Sequence, residues 1–134
     1  MTRLPDHEQA IHILEQAQLH ILQGWCQRNL AVNGRGKRVT TFDKHIVRYS
    51  LMGAVHKEMQ RVRWTGRKHD DRVFGMIVKA LGRTCGGPDS RAGELMTYME
   101  PWGNWHDVKG RKGAEVCAKV DEASLDIRLL NGVV

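Results

Sequence analysis

The stretch DHEQAIHILEQAQLHILQGW, residues 6–25, establishes the character of the fold. Its apolar side chains recur at intervals of three and four residues, at Ala10, Leu14, Ala17, Ile21 and Trp25. This spacing places them on one face of an amphipathic helix, which the glycine at position 24 can end. His12 and His20 lie on a polar strip of the same helix, and we interpret them as solvated rather than as metal ligands. Such a helix needs partners that cover its apolar face.

The residues that follow predict a short β-hairpin. Two β-capable runs, Leu30–Val32 and Lys37–Thr40, flank the sequence NGRG. Asn-Gly is a strong hairpin motif because both residues tolerate positive φ. The hairpin would carry a basic tip formed by Arg35, Lys37 and Arg38, and it must pack on a helix to be stable.

The stretch TTFDKHIVRYSLMGAVHKEMQ, residues 40–60, predicts a central helix. A threonine at its start is a suitable N-cap, and Phe42, Ile46, Tyr49 and Gly53 share one face. Apolar residues on either side of Gly53 widen that face around most of the cylinder, which is typical of a helix surrounded by others. Glycine costs about 1 kcal/mol relative to alanine inside a helix, so we expect a neighbour to approach closely at this position.

Three later stretches predict further helices. DDRVFGMIVKALG (70–82) has a buried stripe and ends at Gly82, ELMTYME (94–100) gives one or two turns before Pro101, and GAEVCAKVDEASLDIRLL (113–130) is helical throughout. The sequence contains no internal repeat, linker or low-complexity tract. We therefore predict a mainly α fold, a compact single domain over residues 1–134 with about four to five helices and a short β-hairpin after the first helix.

Composition bounds the function. The 134 residues carry a formal net charge of +6, a moderate excess that permits attraction to nucleic acid or acidic surfaces. The three cysteines, Cys26, Cys85 and Cys117, form no C-x-x-C pair, which argues against a zinc ribbon and a disulfide framework. The first residues lack the apolar core of a secretory signal, and no apolar run approaches the roughly 20 residues that span a bilayer. We expect a cytoplasmic protein with no metal and no cofactor.

The most basic stretch, KEMQRVRWTGRKHDDR (57–72), is a candidate nucleic-acid surface. Its cationic residues surround an aromatic one, and the candidate contacts are Lys57, Arg61, Arg63, Trp64, Arg67 and Lys68. Basic side chains with an interleaved aromatic suit a surface that follows phosphates and stacks on bases. The alternative is a solvated helix end and loop, with Trp64 folded back onto the core.

The stretch PWGNWHDVKGRKGAEV (101–116) has two interpretations. In the first, Asp107 caps the last helix, and Trp105 pins the turn to the core near Trp25 and Gly53, with its indole N–H on a carbonyl. In the second, acidic and basic groups form an acid/base site in a tryptophan-lined pocket with Arg111 as an anion clamp. That pocket would consist of Trp25, Trp105, His106, Asp107, Arg111 and Glu115. We favour the first interpretation and predict no catalytic residue.

Three separated stretches together resemble a family of small bacterial and phage proteins of unknown function. Its members carry a first helix ending in Gly-Trp, a helix with an aromatic-Cys-x-x-Gly-Ala core, and a Trp-Asn-Asp segment that opens a last helix with Glu-Val. The matching stretches here are GWCQRNLAVNGRG, RYSLMGAV and NWHDVKGRKGAEV, in that order, within roughly residues 10–125.

The resemblance also shows where this chain departs from the family pattern. The matching positions are Gly24, Trp25, Ala31, Gly53, Ala54, Trp105, Asp107, Glu115 and Val116. Ser50 stands where the family usually has cysteine, His106 where it usually has asparagine, and Arg28 and Asn29 replace smaller residues. The resemblance implies a shared fold and a bacterial or phage origin, and it implies no mechanism. Because the family usually has asparagine where this chain has His106, the resemblance argues against a histidine general base.

Two main functional hypotheses follow. The first is a non-catalytic binding protein, an accessory protein of a phage or mobile element that contacts nucleic acid or a nucleoprotein complex, such as a host-defence complex, through its basic surface. No helix-turn-helix pattern supports sequence-specific DNA recognition. The alternative is a nucleotide-like ligand site, catalytic or not, between the Gly24–Trp25 end and the Trp105–Asp107 turn. A third hypothesis is an adaptor that uses the same surface to contact protein.

Overall fold

The described chain consists of helices and one small sheet. The computed structural model describes residues 4–61, 67–87 and 95–132, with only the backbone described in residues 67–70. Within these ranges the elements are α1 (Asp6–Gln23), β1 (Ala31–Asn33), β2 (Arg38–Val39), β3 (Ile46–Tyr49), α2 (Leu51–Arg61), α3 (Arg67–Thr84), α4 (Leu95–His106) and α5 (Gly113–Leu130). The predicted mainly α fold with a hairpin after the first helix is confirmed.

Helix α1 lies at the centre of the core. It packs against α2, α3 and α5, and α3 also packs against α4 and α5. The predicted stripe on α1 is buried at Ala10, Leu14, Ala17 and Ile21, while Trp25 lies beyond the helix and is half-buried against the core. The periodicity of α1 therefore identified the correct buried face.

The sheet has β1 as its central strand. β1 pairs antiparallel with β2 on one side and with β3 on the other. Ala31 lies opposite both Val39 and Tyr49, and these three side chains pack against the helical core. Directly opposite residues share one face of a sheet, and successive residues of a strand alternate between the two faces. The side chains one residue further along each strand therefore lie on the outer face.

The hairpin turn between β1 and β2 closes on Asn33 and Gly36. The Gly36 N–H donates to the Asn33 carbonyl oxygen at 3.0 Å, and Gly36 has a φ of +75°. The Asn33 side-chain oxygen accepts hydrogen bonds from the N–H groups of Arg35 (2.9 Å) and Lys37 (3.1 Å). The NGRG prediction is correct, although the left-handed residue is the second glycine rather than the Asn-Gly pair.

The predicted helix over residues 40–60 is wrong in its first half. The segment IVRY forms β3, and α2 begins only at Leu51. Ser50 is the N-cap, because its Oγ accepts a hydrogen bond from the Gly53 N–H at 3.1 Å. Phe42, which was expected on a buried helix face, is 72% exposed. β-Branched and aromatic residues fit a strand as well as a helix face, and pairing with β1 decides between them.

Helices α3 and α4 extend further than predicted. Gly82 lies inside α3, where a Cβ would be 2.6 Å from the Tyr98 carbonyl oxygen. The glycine therefore allows α4 to approach α3 and does not end the helix. Helix α4 continues through Pro101 to His106. Proline inside a helix removes one hydrogen bond, and the packing of α4 on α3 outweighs that cost.

Candidate functional site

His106 is a buried polar residue at the end of α4. The residue is 4% exposed, and its imidazole lies against the Trp25 ring at 4.7 Å and the Trp102 ring at 5.8 Å, both edge-on. The Nε2 atom accepts a hydrogen bond from the Leu51 N–H at 3.2 Å, and Nδ1 lies 2.9 Å from Asp107 Oδ1. A histidine with a carboxylate on one nitrogen resembles a catalytic dyad, so the other nitrogen decides its role.

The hydrogen-bond partner of Nε2 indicates that His106 has a structural role. A backbone N–H can only donate, so Nε2 carries no proton, and Nδ1 donates its hydrogen to Asp107. The Leu51 N–H is the first of α2, and His106 therefore satisfies one of the unpaired donors at that helix start. A general base needs a free nitrogen that can reach substrate, and here that nitrogen is occupied by the backbone.

The role of Asp107 differs from the predicted cap of the last helix. Its carboxylate accepts from His106, whereas the start of α5 is held by Glu115, whose Oε1 accepts from the Lys112 N–H at 2.9 Å. This bond is one half of a capping box. Asp107 therefore contributes to the junction of α4 with α2, and the prediction that it caps α5 is wrong.

Arg111 and Trp105 form a second cluster at the start of α5. The Arg111 guanidinium lies 3.9 Å from the Trp105 ring centre, donates to the Trp105 carbonyl oxygen at 3.0 Å and pairs with Glu115 at 2.8 Å. An arginine engaged on three sides holds the turn closed rather than binding an external anion. Trp105 contacts the turn through this stacking, and no residue in the described ranges accepts the indole hydrogen bond that was predicted.

The six predicted pocket residues thus divide between two clusters. Trp25, His106 and Asp107 lie at the α2–α4 junction, and Trp105, Arg111 and Glu115 lie at the start of α5. A cavity of about 180 Å³ adjoins the first cluster and is lined by Arg28, Asn29, Leu30, Ser50, Met52, Trp102, Gly103, His106 and Asp107. A larger cavity of about 570 Å³ borders α3 and α5 and contains none of the predicted residues.

The burial of His106 predicts how the stability of the protein depends on pH. Burial lowers the pKa of its imidazole below the ordinary value, although the hydrogen bond and charge of Asp107 act in the opposite direction. The unfolded chain therefore takes up this proton at a higher pH than the folded chain. We expect the free energy of unfolding to be highest above about pH 7 and to fall as the pH drops through about 6.5.

Urea unfolding between pH 8 and pH 5 measures this dependence. His106→Asn, which introduces the residue usual in the family that the chain resembles, should flatten the curve. Burial also lowers the pKa of His56, so His56→Asn should flatten it separately, and the double variant more than either single one. An unchanged slope in His106→Asn would show that the folded protein does not exclude the charged imidazole.

The predicted basic hairpin tip is exposed as expected. Arg35, Lys37 and Arg38 are all accessible to solvent. Arg38 and Arg48 both lie opposite Val32 in the register, on β2 and β3, so the two arginines share the outer face of the sheet. Val32 is buried although it lies on this outer face, and the register places it between the two arginines, whose apolar stems can cover such a side chain.

The connection between β2 and β3 adds an aromatic side chain to this region. Phe42 and Lys44 are exposed there. The Lys57 ammonium donates to the Thr41 carbonyl oxygen at 3.1 Å, and the Gln60 amide donates to the Thr41 hydroxyl. Lys57, predicted as a phosphate contact, therefore holds this connection against α2.

The remaining basic residues of the 57–72 stretch have mixed outcomes. Arg61 is exposed and lies 3.4 Å from the Glu58 carboxylate. Arg63 and Trp64 lie outside the described residues, and the side chains of Arg67 and Lys68, in the first turn of α3, are not described either. The prediction that this stretch contacts nucleic acid stays a prediction.

His20 is not on a solvated strip. Its Nε2 lies 2.8 Å from Oε2 of Glu58, whose carboxylate is buried, and its ring is 4.7 Å from the Tyr49 ring. Burial raises the pKa of the Tyr49 hydroxyl, and the charge of Glu58 raises it further. His20 was interpreted as part of a solvated polar strip of α1, but α2 packs over that position.

The described residues offer neither a metal-binding cluster nor a helix fit to cross a membrane. Within residues 4–61, 67–87 and 95–132, no group of three or more histidine, cysteine or acidic side chains is placed to hold a metal ion. No helix in those ranges has the length and apolar character needed to cross a bilayer.

Several residues of these sites escaped the sequence analysis. Trp102 and His106 are four residues apart on α4 and would have been paired by helical spacing had Pro101 not been taken as a helix end. Arg48 was assigned to a helix, and its position beside Arg38 depends on the β1–β3 register. No local pattern indicates that Glu58 meets His20, because the two residues are 38 positions apart.

Comparison with known proteins gives a family and no activity. No curated protein matches the chain, and no solved structure matches it either. A family model described as a family of unknown function (DUF6197) matches residues 5–125. The chain therefore belongs to this family of unknown function, DUF6197.

Proposed function

We propose that this chain is a non-catalytic protein that binds nucleic acid, preferably single-stranded, through a basic sheet surface. This surface comprises Arg35, Lys37, Arg38, Lys44 and Arg48 together with the aromatic ring of Phe42. The observation that carries the proposal is the concentration of positive charge in one segment. Residues 28–48 contain six arginines and lysines and one aspartate, a formal charge of +5, and the whole chain has a formal net charge of +6.

The geometry of this surface suits a phosphate backbone. Arg38 and Arg48 flank one position of β1 on the outer face, and the hairpin tip extends the row with Arg35 and Lys37. The one acidic residue of segment 28–48, Asp43, uses its carboxylate to accept a hydrogen bond from the His45 N–H at 2.7 Å. Exposed arginines and lysines bind phosphates and release counterions, which produces affinity with little dependence on sequence.

Phe42 supports a preference for single strands. An exposed phenyl ring offers no benefit to an isolated fold, and Phe42 lies two residues before the exposed Lys44 in the chain. Exposed aromatic rings on a basic surface are what unpaired bases stack on. Hydrogen bonds from Lys57 and Gln60 to Thr41 position the connection that carries it. The family resemblance extends the proposal to an accessory protein of a phage or mobile element that acts on a nucleoprotein complex.

Fluorescence anisotropy with labelled single- and double-stranded oligonucleotides between roughly 50 and 200 mM salt tests this proposal. Arg38→Gln with Arg48→Gln should weaken binding about tenfold and lower the salt dependence by about one to two counterions. Phe42→Ala should weaken single-strand binding by about 1 kcal/mol, roughly fivefold, and leave the salt dependence unchanged.

The matched control removes two exposed charges elsewhere. Lys109→Gln with Lys112→Gln changes the net charge equally and should leave binding within about twofold. Equal losses in both double variants would mean that only net charge matters, and no binding at about 50 mM salt would reject nucleic acid as the partner. Arg61→Gln with Arg63→Gln then tests the basic stretch predicted from the sequence.

A further inference from the structure

The cavity beside His106 is bordered by a residue with an unpaired hydrogen-bond donor. It lies where three parts of the chain meet: residues 28–30 before β1, the start of α2 and the end of α4. Trp102 lines this cavity and is 5% exposed, and its Nε1 has no hydrogen-bond partner among the described residues. An indole nitrogen can only donate, so the partner it lacks is an acceptor. Nearly all buried donors in folded proteins are paired, and an unpaired one calls for a specific explanation, of which a bound ion is one.

The start of α2 supplies a second donor at the same place. Of its first three N–H groups, that of Leu51 donates to His106 and that of Gly53 donates to Ser50 Oγ. Between them, the Met52 N–H makes none of the backbone hydrogen bonds found at this helix start among the described residues, and Met52 lines the cavity. The first turn of α2 contains no acidic residue. The positive end of the helix is therefore not neutralised by its own side chains.

Charge and size narrow the ligand. Arg28 lines the cavity from an exposed position, with a backbone φ of +68° that residues other than glycine adopt rarely. Asp107 is the one acidic residue in the described lining, and its Oδ1 accepts a hydrogen bond from His106 Nδ1. The volume of about 180 Å³ is below the roughly 300–1,000 Å³ of sites for drug-sized ligands. A whole nucleotide is too large, and a phosphate-sized group fits.

We infer that this cavity binds a small oxyanion of the phosphate class, with the Trp102 Nε1–H, the Met52 N–H and the Arg28 guanidinium as donors. This inference does not depend on the basic sheet surface. The oxyanion is either free inorganic phosphate or the terminal phosphate of a nucleic-acid strand, because both present the same acceptors. Asp107 limits the affinity by repulsion at close range.

Titration with inorganic phosphate, followed by amide NMR shifts of Met52 and by the indole signal of Trp102, tests the inference. Chloride at matched ionic strength is the blank. Trp102→Phe removes the N–H and retains a ring, and it should weaken phosphate binding about tenfold, as should Arg28→Gln. Asp107→Asn retains an acceptor for His106 and removes the charge, so it should strengthen binding several-fold.

The variants separate a site from general anion effects. Arg28 is exposed, so Arg28→Gln should fold even if Trp102→Phe does not. Equal affinity in the wild type, Arg28→Gln and Asp107→Asn would overturn the inference, as would the absence of shifts at Met52 and Trp102. A preference for 5′-phosphorylated over 5′-hydroxyl oligonucleotides that is lost in Arg28→Gln identifies a strand end as the source. Phosphate binding without that preference identifies the free ion.

Discussion

Replacing Gly53 with alanine is expected to destabilise the protein by about 3 kcal/mol or more. A Cβ at this position would lie 2.6 Å from the Leu30 carbonyl carbon and closer still to its oxygen. The obstacle is backbone, which cannot rotate away as a side chain can. The Ser50 N–H donates to the same oxygen at 3.1 Å, so a shift of residue 30 also strains the N-cap of α2. The gain of about 1 kcal/mol from alanine in a helix is too small to compensate.

Gly103→Ala is the matched control. Gly103 also lies within a helix, α4, but a Cβ there would meet no heavy atom within 4 Å among the described residues outside its own stretch of helix. This substitution should leave stability unchanged or raise it by up to about 1 kcal/mol. Urea unfolding of the two variants measures the difference directly. A loss below about 1 kcal/mol for Gly53→Ala would show that β1 and α2 separate easily.

These two glycines also show how far local pattern predicts the fold. The close approach at Gly53 was predicted because glycine is costly in a helix, and the approaching group is the chain just before β1. The buried stripe of α1 and the range of α5 follow from periodicity alone, since each helix presents one apolar face to a single core. Such features are local, and a local sequence determines them.

The features that were missed depend on contacts distant in the chain. The segment IVRY has apolar spacing that fits either a helix or a strand, and only its pairing with β1 decides between them. His106 lies against Trp25, as the pocket interpretation had it, but its second tryptophan is Trp102 and not Trp105. Its Nε2 accepts from the first N–H of α2, 55 positions away. The sequence therefore indicated a structural role for the cluster, but it did not indicate which contacts hold the cluster together.

Replacing Glu58 with alanine is expected to cost about 2–4 kcal/mol, the second-largest effect. Glu58 is 4% exposed on α2, and its Oε2 lies 2.8 Å from His20 on α1 and 3.4 Å from Arg61. Removing the carboxylate leaves a cavity and an unpaired imidazole between two packed helices. Because the His20 side chain is 18% exposed, water can reach it in part, which keeps the expected loss below that of a fully buried pair.

A double-mutant cycle separates the pair from the packing. Urea unfolding of His20→Ala, Glu58→Ala and the double variant should give an interaction energy of about 1 kcal/mol or more, because the two side chains contact each other directly. Glu58→Gln retains the shape and one acceptor and should cost about 1 kcal/mol. Strictly additive losses would mean that each side chain contributes through its apolar contacts alone. In that case the α1–α2 interface would depend on packing, and the contact between His20 and Glu58 would only satisfy two polar groups that α2 covers.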